Sequence, residues 1–247
     1  MTKRKGEDEF LAAYRPGDFP RPAVTVDIVV FTLVDADLKV LLVRRNEHPY
    51  KGSWALPGGF VRVKNGPAGA KPSEETQGED LDEAARRELA EETGLRPAGV
   101  YLEQLGAFGK AGRDPRMRVI SVAYCALVRP ALVPLVQAGG DASHTEWHSV
   151  STPDSLHLAF DHEDILAAAL ARVRERIDQS AMAFELVPDT FSIAELRSVY
   201  EAVKGTPQDP GNFRKRFFRM VADGIVKQVV GKRVTASKPA KVYRFVR

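Results

Sequence analysis

The chain has 247 residues, 36 of them Lys or Arg and 33 Asp or Glu, and 44% are apolar, so it is long enough for a real core and for two domains. Its single cysteine, Cys125, lies in an apolar run; this excludes a disulfide framework and a thiolate zinc cluster and reads as a small buried hydrophobe. The net charge of +3 hides an asymmetry: residues 189–247 hold 13 basic against 5 acidic groups, a net of +8, and the other 188 residues hold 23 against 28, a net of −5.

A tail with that balance gains affinity for a phosphate backbone, although a cationic surface also serves solubility alone. The polar N-terminus lacks the apolar stretch of a secretory signal, and no segment reaches the eighteen or so apolar residues of a membrane span. A cytoplasmic protein with no membrane partner is expected.

Residues 1–22 are largely polar, contain Pro16, Pro20 and Pro22, and read as a flexible arm. Residues 24–34 and 39–43 are β-rich runs split by Asp35-Ala36-Asp37, a hairpin signal. Residues 54–63 surround the Pro57-Gly58-Gly59 turn, and the Gly-, Pro-, Ser- and Glu-rich segment 64–78 reads as an exposed insert.

Asp80 followed by Glu83 has the form of a capping box opening a helix with Leu81, Ala84, Ala85 and Leu89 as its buried stripe. Glu88, Glu91 and Glu92 are spaced three and four apart, which places three carboxylates on the opposite side. Unpaired, they repel until protons, arginines or a metal relieve them, and oxygen donors at this spacing suit Mg²⁺ or Mn²⁺. A solvated helix face is the duller reading of the same spacing.

Strands are expected at 101–108 and 118–128, with one more short strand in 130–140. Residues 161–177 form a helix whose Ile165, Leu166, Ala169, Val173 and Ile177 share one face. Residues 180–188 read as a linker between a first domain, 23–179, and a second, 189–247.

In the second domain, Ser192 and Glu195 form another capping-box pattern before the apolar spacing of Leu196, Val199, Tyr200 and Val203. A turn at 205–208 leads to Asp209-Pro210, an N-cap with proline at the first helical position. Phe213, Phe217 and Met220 make the buried stripe of that helix, with Asn212, Arg214, Lys215, Arg216 and Arg219 pointing largely elsewhere. Two β-like runs then flank a basic loop holding Lys232, Arg233 and Lys238, with Lys241 beginning the second run. This order describes a winged helix-turn-helix. The second helix would enter the major groove of an operator, where Arg and Asn read guanine and adenine edges, while Lys232, Arg233, Lys238 and Lys241 meet phosphates.

The segment Arg87-Glu88-Leu89-Ala90-Glu91-Glu92-Thr93-Gly94-Leu95, preceded by Gly59 and Glu79, resembles the Nudix box of the diphosphate-hydrolysing superfamily. That resemblance implies an α/β/α sandwich, Glu88, Glu91 and Glu92 as metal ligands and catalytic groups, and the Gly59 carbonyl as a further ligand. It also implies structural places for Glu79 and Gly94 and a structural pairing of Arg87 with a glutamate. The chain departs from the pattern between Gly59 and Glu79, where nineteen residues stand in place of the usual five, and at Arg62, where a glutamate is common. Displacing Gly59 from the helix would harm catalysis more than nucleotide binding.

Residues 101–108, 113–124 and 159–166 and the basic tail resemble a Nudix subgroup fused to a winged helix, some of whose members are ADP-ribose-responsive repressors of NAD biosynthesis genes. The ligand grip is expected from Arg44, Arg45, Arg116 and Arg118, with Trp54 and Tyr101 as stacking surfaces; His162 reads as a neutral structural histidine with a backbone contact, or else as ordering the ligand loop or a dimer contact. The expectation is a homodimeric repressor sensing ADP-ribose or a related nucleotide sugar. The alternative is a Mg²⁺-dependent nucleoside-diphosphate-sugar hydrolase.

Overall fold

The computed structural model describes residues 2–15, 18–63, 78–96, 99–139, 142–151, 157–179, 181–233 and 239–246. In chain order these form α1 (Thr2–Ala13), β1 (Ala23–Val34), β2 (Asp37–Arg45), β3 (Trp54–Ala55), β4 (Gly58–Phe60), α2 (Leu81–Thr93), β5 (Tyr101–Phe108), β6 (Val119–Leu127), β7 (Ala142–Ser149), α3 (His162–Arg176), α4 (Ile193–Lys204), α5 (Pro210–Ala222), β8 (Val226–Arg233) and β9 (Ala240–Phe245).

β1 is the centre of a mixed sheet ordered β3-β2-β1-β6-β5, with β4 also on β1 and β7 also on β2. It runs parallel to β6 and antiparallel to β2, and the β1–β2 turn uses Asp35 and Ala36 at φ of 53° and 61°. Two consecutive left-handed residues match the twist of a tight hairpin, which makes Ala36 a costly residue there. Because strand side chains alternate, Val26, Ile28 and Val30 face α2 through Ala84, Ala85 and Leu89. Val29, Phe31 and Leu33 face the other way, onto Ile165, Ala169 and Val173 of α3. This is the α/β/α sandwich expected of the first domain.

The core on the α3 side continues through Met182, Phe184 and Leu186 into Leu196, Tyr200, Phe213 and Phe217 of the second domain. Residues 180–188 thus contain a buried 3₁₀ turn, Ala181–Leu186, that packs both domains together. α4 and α5 are followed by the β8–β9 hairpin, which is the helix-turn-helix and wing order read from the sequence.

Three elements differ from expectation. The arm contains α1, with the Tyr14 ring in contact with those of Phe10 and Phe19 and all three exposed. Residues 130–135 form a 3₁₀ turn instead of a strand, because Pro130 and Pro134 fix φ and lack the N–H that a ladder needs. The further strand is β7, whose polar sequence gives little apolar alternation.

Candidate functional site: an arginine-lined cleft tied to a basic helix

α2 is set by its ends. Asp80 donates its N–H to Glu83 Oε2 at 3.1 Å, and Gly94 closes the helix at φ 70° with its N–H on the Ala90 carbonyl. The three glutamates do not share one solvated side: Glu88 is buried, Glu92 half-buried and Glu91 exposed. Gly59 is pressed so closely on Glu88 that a Cβ would stand 2.4 Å from its Oε1. Glu92 Oε2 accepts the Gly58 N–H at 2.8 Å. The glycine turn and the helix are therefore in register.

The insert leaves that register intact. Glu79 donates its N–H to the Arg62 carbonyl at 3.1 Å, and the Arg62 N–H returns a bond to Glu79 Oε1 at 2.8 Å. These two bonds close the excursion at its neck, and residues 64–77 lie outside the described residues. Loop closure of that length costs little more than a short turn. The displacement of Gly59 that so long an insert could cause does not occur.

Arg87 organises the carboxylates. Its Nε donates to Glu79 at 2.8 Å, and its Nη1 donates to Glu88 at 2.6 Å and to Glu91 at 3.0 Å. The bond to Glu79 is the largest of the contacts that raise the Arg87 pKa, and it holds the Glu79 carboxyl below its usual value. Burial pushes Glu88 upward, against the pull of Arg87. Arg62 Nη2 grips both oxygens of Glu91, at 3.0 and 2.8 Å. Among the described residues no group of three or more His, Cys, Asp or Glu is arranged to hold a metal ion. As they stand, the box carboxylates are matched to guanidinium and amide donors.

Beside them opens a cleft lined by Arg44, Arg45, Glu92, Arg116, Phe160 and His162, among others. Arg45 donates to the Pro49 carbonyl at 2.8 Å and lies over the Phe160 ring at 4.9 Å, and Arg116 lies over Phe60 at 5.3 Å. Phe160 sits at φ 57°, a conformation a bulky residue adopts only when its surroundings impose it. Three of the six expected ligand residues, Arg44, Arg45 and Arg116, thus meet in the cleft. The other three do not line it. Trp54 packs edge-on against His148, Tyr101 hydrogen-bonds Glu103 on β5, and Arg118 donates to the Gly109 carbonyl at 2.7 Å.

The floor of the cleft is a network of which only His162 is singled out from the sequence. Buried Arg113 pairs with Asp27 at 3.2 Å and Asp161 at 2.6 Å. Desolvation opposes its charge, yet the two aspartates raise its pKa above the usual value. His162 Nδ1 accepts the Leu56 N–H at 2.9 Å while its Nε2 lies 3.5 Å from Asp27, and burial lowers its pKa, which keeps the imidazole neutral. Asp27, the one acid in a largely apolar strand, carries a local signal that goes unused; its partners are distant in sequence.

Asp161 and His162 stand at the start of α3, and the residues just beyond its far end touch the second domain. Asp178 pairs with Lys204 of α4 and with Arg216 of α5, both at 2.6 Å, and Arg174 donates to the Val203 carbonyl at 2.9 Å. Arg216 also lies over the Tyr200 ring at 4.5 Å. It is thus turned inward to the first domain instead of sharing the exposed face of α5.

On that face Asn212, Lys215 and Arg219 follow one another at helical spacing and are exposed, as is Arg214, which stacks over Phe218 at 5.1 Å. Lys232 and Lys241 are exposed cross-strand partners in the wing. Arg233 is instead engaged by Glu195 at 3.1 Å and by the Thr190 carbonyl, and Lys238 lies outside the described residues. No helix among the described residues is long and apolar enough to cross a membrane.

Fold and site define a two-domain protein: a Nudix domain with a basic winged helix packed onto it. The NUDIX domain model matches residues 23–170 and the NrtR DNA-binding winged helix domain model matches residues 183–245. The chain is 35% identical over 240 residues to the ADPR responsive transcriptional repressor NtrR of Acinetobacter baylyi, covering 97% of this chain and 88% of that one. It is similar to the crystal structure of Shewanella oneidensis NrtR complexed with a 27mer DNA, at TM-score 0.71 and 31% identity over 90% of this chain and 93% of that one. It is also similar to the NUDIX domain of Shewanella oneidensis NrtR complexed with ADP ribose, at TM-score 0.56 and 37% identity over 68% and 98% of the two chains. The chain belongs to the NrtR-like family, DNA-binding transcriptional regulators with a Nudix-like sensor domain.

Proposed function

We propose that this regulator is a homodimeric repressor that senses ADP-ribose or a related nucleotide sugar in the Nudix cleft and acts at operators of NAD-metabolism genes. The observation that carries the reading is the run of α3 from cleft to DNA-binding domain. Asp161 and His162 belong to the cleft network at the start of α3, and Asp178, just beyond its far end, touches α4 and α5. A diphosphate drawn to Arg44, Arg45 and Arg116 competes with Asp114 for Arg116 and with the ring of Phe160, the residue before Asp161, for Arg45. Any resulting shift of the α3 N-terminus reaches Asp178 through a rigid helix, which is the coupling between two sites that a ligand-responsive regulator needs. Lys215, Arg219, Lys232 and Lys241 supply the phosphate-facing charge, and Asn212 and Arg214 stand at the start of α5 for base edges. A homodimer fits the twofold symmetry usual for operators.

The competing reading is a Mg²⁺-dependent diphosphate hydrolase, and the presence of Glu88, Glu91 and Glu92 favours it. Fluorescence anisotropy separates the two readings. The full chain is titrated onto its own upstream DNA and onto NAD-biosynthesis promoters at about 0.15 M salt with nonspecific competitor, with and without ADP-ribose. Specific binding that ADP-ribose shifts is the expected result. No specific binding to any promoter, together with Mg²⁺-dependent turnover of ADP-ribose, overturns the regulator reading in favour of the enzyme.

A further inference from the structure

The cluster on α2 carries a cation of its own. Exchanging the glutamate common in the Nudix pattern for Arg62 moves the local charge two units in the positive direction, the same amount that a bound divalent ion supplies. The guanidinium is placed where that charge acts. Its Nη2 lies 3.0 and 2.8 Å from the two oxygens of Glu91, and Arg87 Nη1 lies 3.0 Å from the same carboxylate. The side chain is delivered from a fixed point, because the Arg62 backbone is held at both its N–H and its carbonyl by Glu79.

Four carboxylates crowd this neck: Glu79, Glu88, Glu91 and Glu92. Each has a donor already. Glu79 has Arg87, Glu88 has Arg87, Glu91 has Arg62 and Arg87, and Glu92 has the Gly58 N–H. The repulsion that a divalent ion would relieve is relieved by groups of the chain itself, and an arginine cannot lose its proton to make way.

We propose that Arg62 is a built-in substitute for the divalent cation, and that the Nudix box of this chain is an arginine-closed site that does not take up Mg²⁺ or Mn²⁺ at millimolar concentration. The cleft keeps its shape because the acidic helix and the glycine turn remain neutralised in register, while the metal-dependent activation of water is given up. This stands whichever nucleotide the cleft accepts.

Mn²⁺ titration followed by electron paramagnetic resonance tests it on the full chain, on Arg62→Glu, on Arg62→Ala and on the double variant Arg62→Glu with Glu91→Gln. The expected result is weak or no binding to the parent, binding at least about tenfold tighter in Arg62→Glu, an intermediate gain in Arg62→Ala, and loss of the gain in the double variant. One Mn²⁺ bound by the parent as tightly as by Arg62→Glu overturns the proposal. So does a failure of both single variants to bind, since Arg62 would then not be what keeps the cation out. Arg62 is exposed, so Arg62→Ala keeps the test open should the charge reversal disturb folding.

Discussion

Basic side chains are used in opposite ways at the two ends of this chain. In the Nudix domain Arg62, Arg87, Arg113 and Arg116 each face a carboxylate, and Arg113 is buried between two. In the winged helix Lys215, Arg219, Lys232 and Lys241 are exposed and, among the described residues, make no ion pair. The first set shapes a site, and removing its buried member Arg113 strands two carboxylates away from water. The second set makes a field, which acts at a distance and weakens with salt. Lys204 and Arg216 belong to the second domain by sequence but to the first pattern by geometry, because Asp178 claims both.

The sharpest way to break the contrast is to remove a cation from each set. Arg113→Ala leaves Asp27 and Asp161 facing each other in the floor of the cleft, and it should cost about 3 kcal/mol in urea unfolding. A loss below 1 kcal/mol would mean that the two aspartates find water or protons easily. Lys215→Ala should leave stability within about 0.5 kcal/mol and weaken binding to all DNA sequences, with the salt slope smaller by about one. A change in sequence preference without a change in slope would assign Lys215 to a base edge instead of a phosphate.

The cleft network also predicts a pH dependence with a definite sign. Burial holds His162 below the usual imidazole value of 6.5. As the pH falls from 6.5 through the lowered folded value, the unfolded chain takes up a proton that the folded chain refuses, so stability drops in that window. Thermal unfolding of His162→Gln, whose amide can still accept the Leu56 N–H, should show a flatter profile there than the parent. Parallel profiles would place the proton elsewhere. A modest gain in stability is expected at the β1–β2 turn, which belongs to neither charge set. Ala36→Gly should stabilise by about 0.5–1 kcal/mol, since its φ of 61° is a glycine conformation.

What the sequence discloses follows the same division. The capping boxes at Asp80 and Ser192, the proline at the first position of α5 and the Arg87–Leu95 box are signals within a few residues, and the structure forms each of the caps. The Arg113–Asp27 and Arg113–Asp161 pairs span 86 and 48 residues, and Arg216–Asp178 spans 38, so no local pattern announces them. Trp54 and Tyr101 carry an aromatic signal that suits a base platform and a core equally, and packing sends both away from the cleft. Arg62 is legible as a departure from the Nudix pattern, but its grip on Glu91 appears only once the neck of the insert is closed.

The central claim is that the cleft and the DNA-binding helices communicate through α3 and Asp178. The direct measurement is the ratio of operator affinities with and without saturating ADP-ribose, compared between the parent and Asp178→Asn, which keeps the side chain's size and removes its charge. The account predicts a ratio well away from one in the parent and close to one in the variant, with both proteins still binding ADP-ribose by calorimetry. An equal ratio in the two proteins would contradict it and place the communication outside the Asp178 contacts.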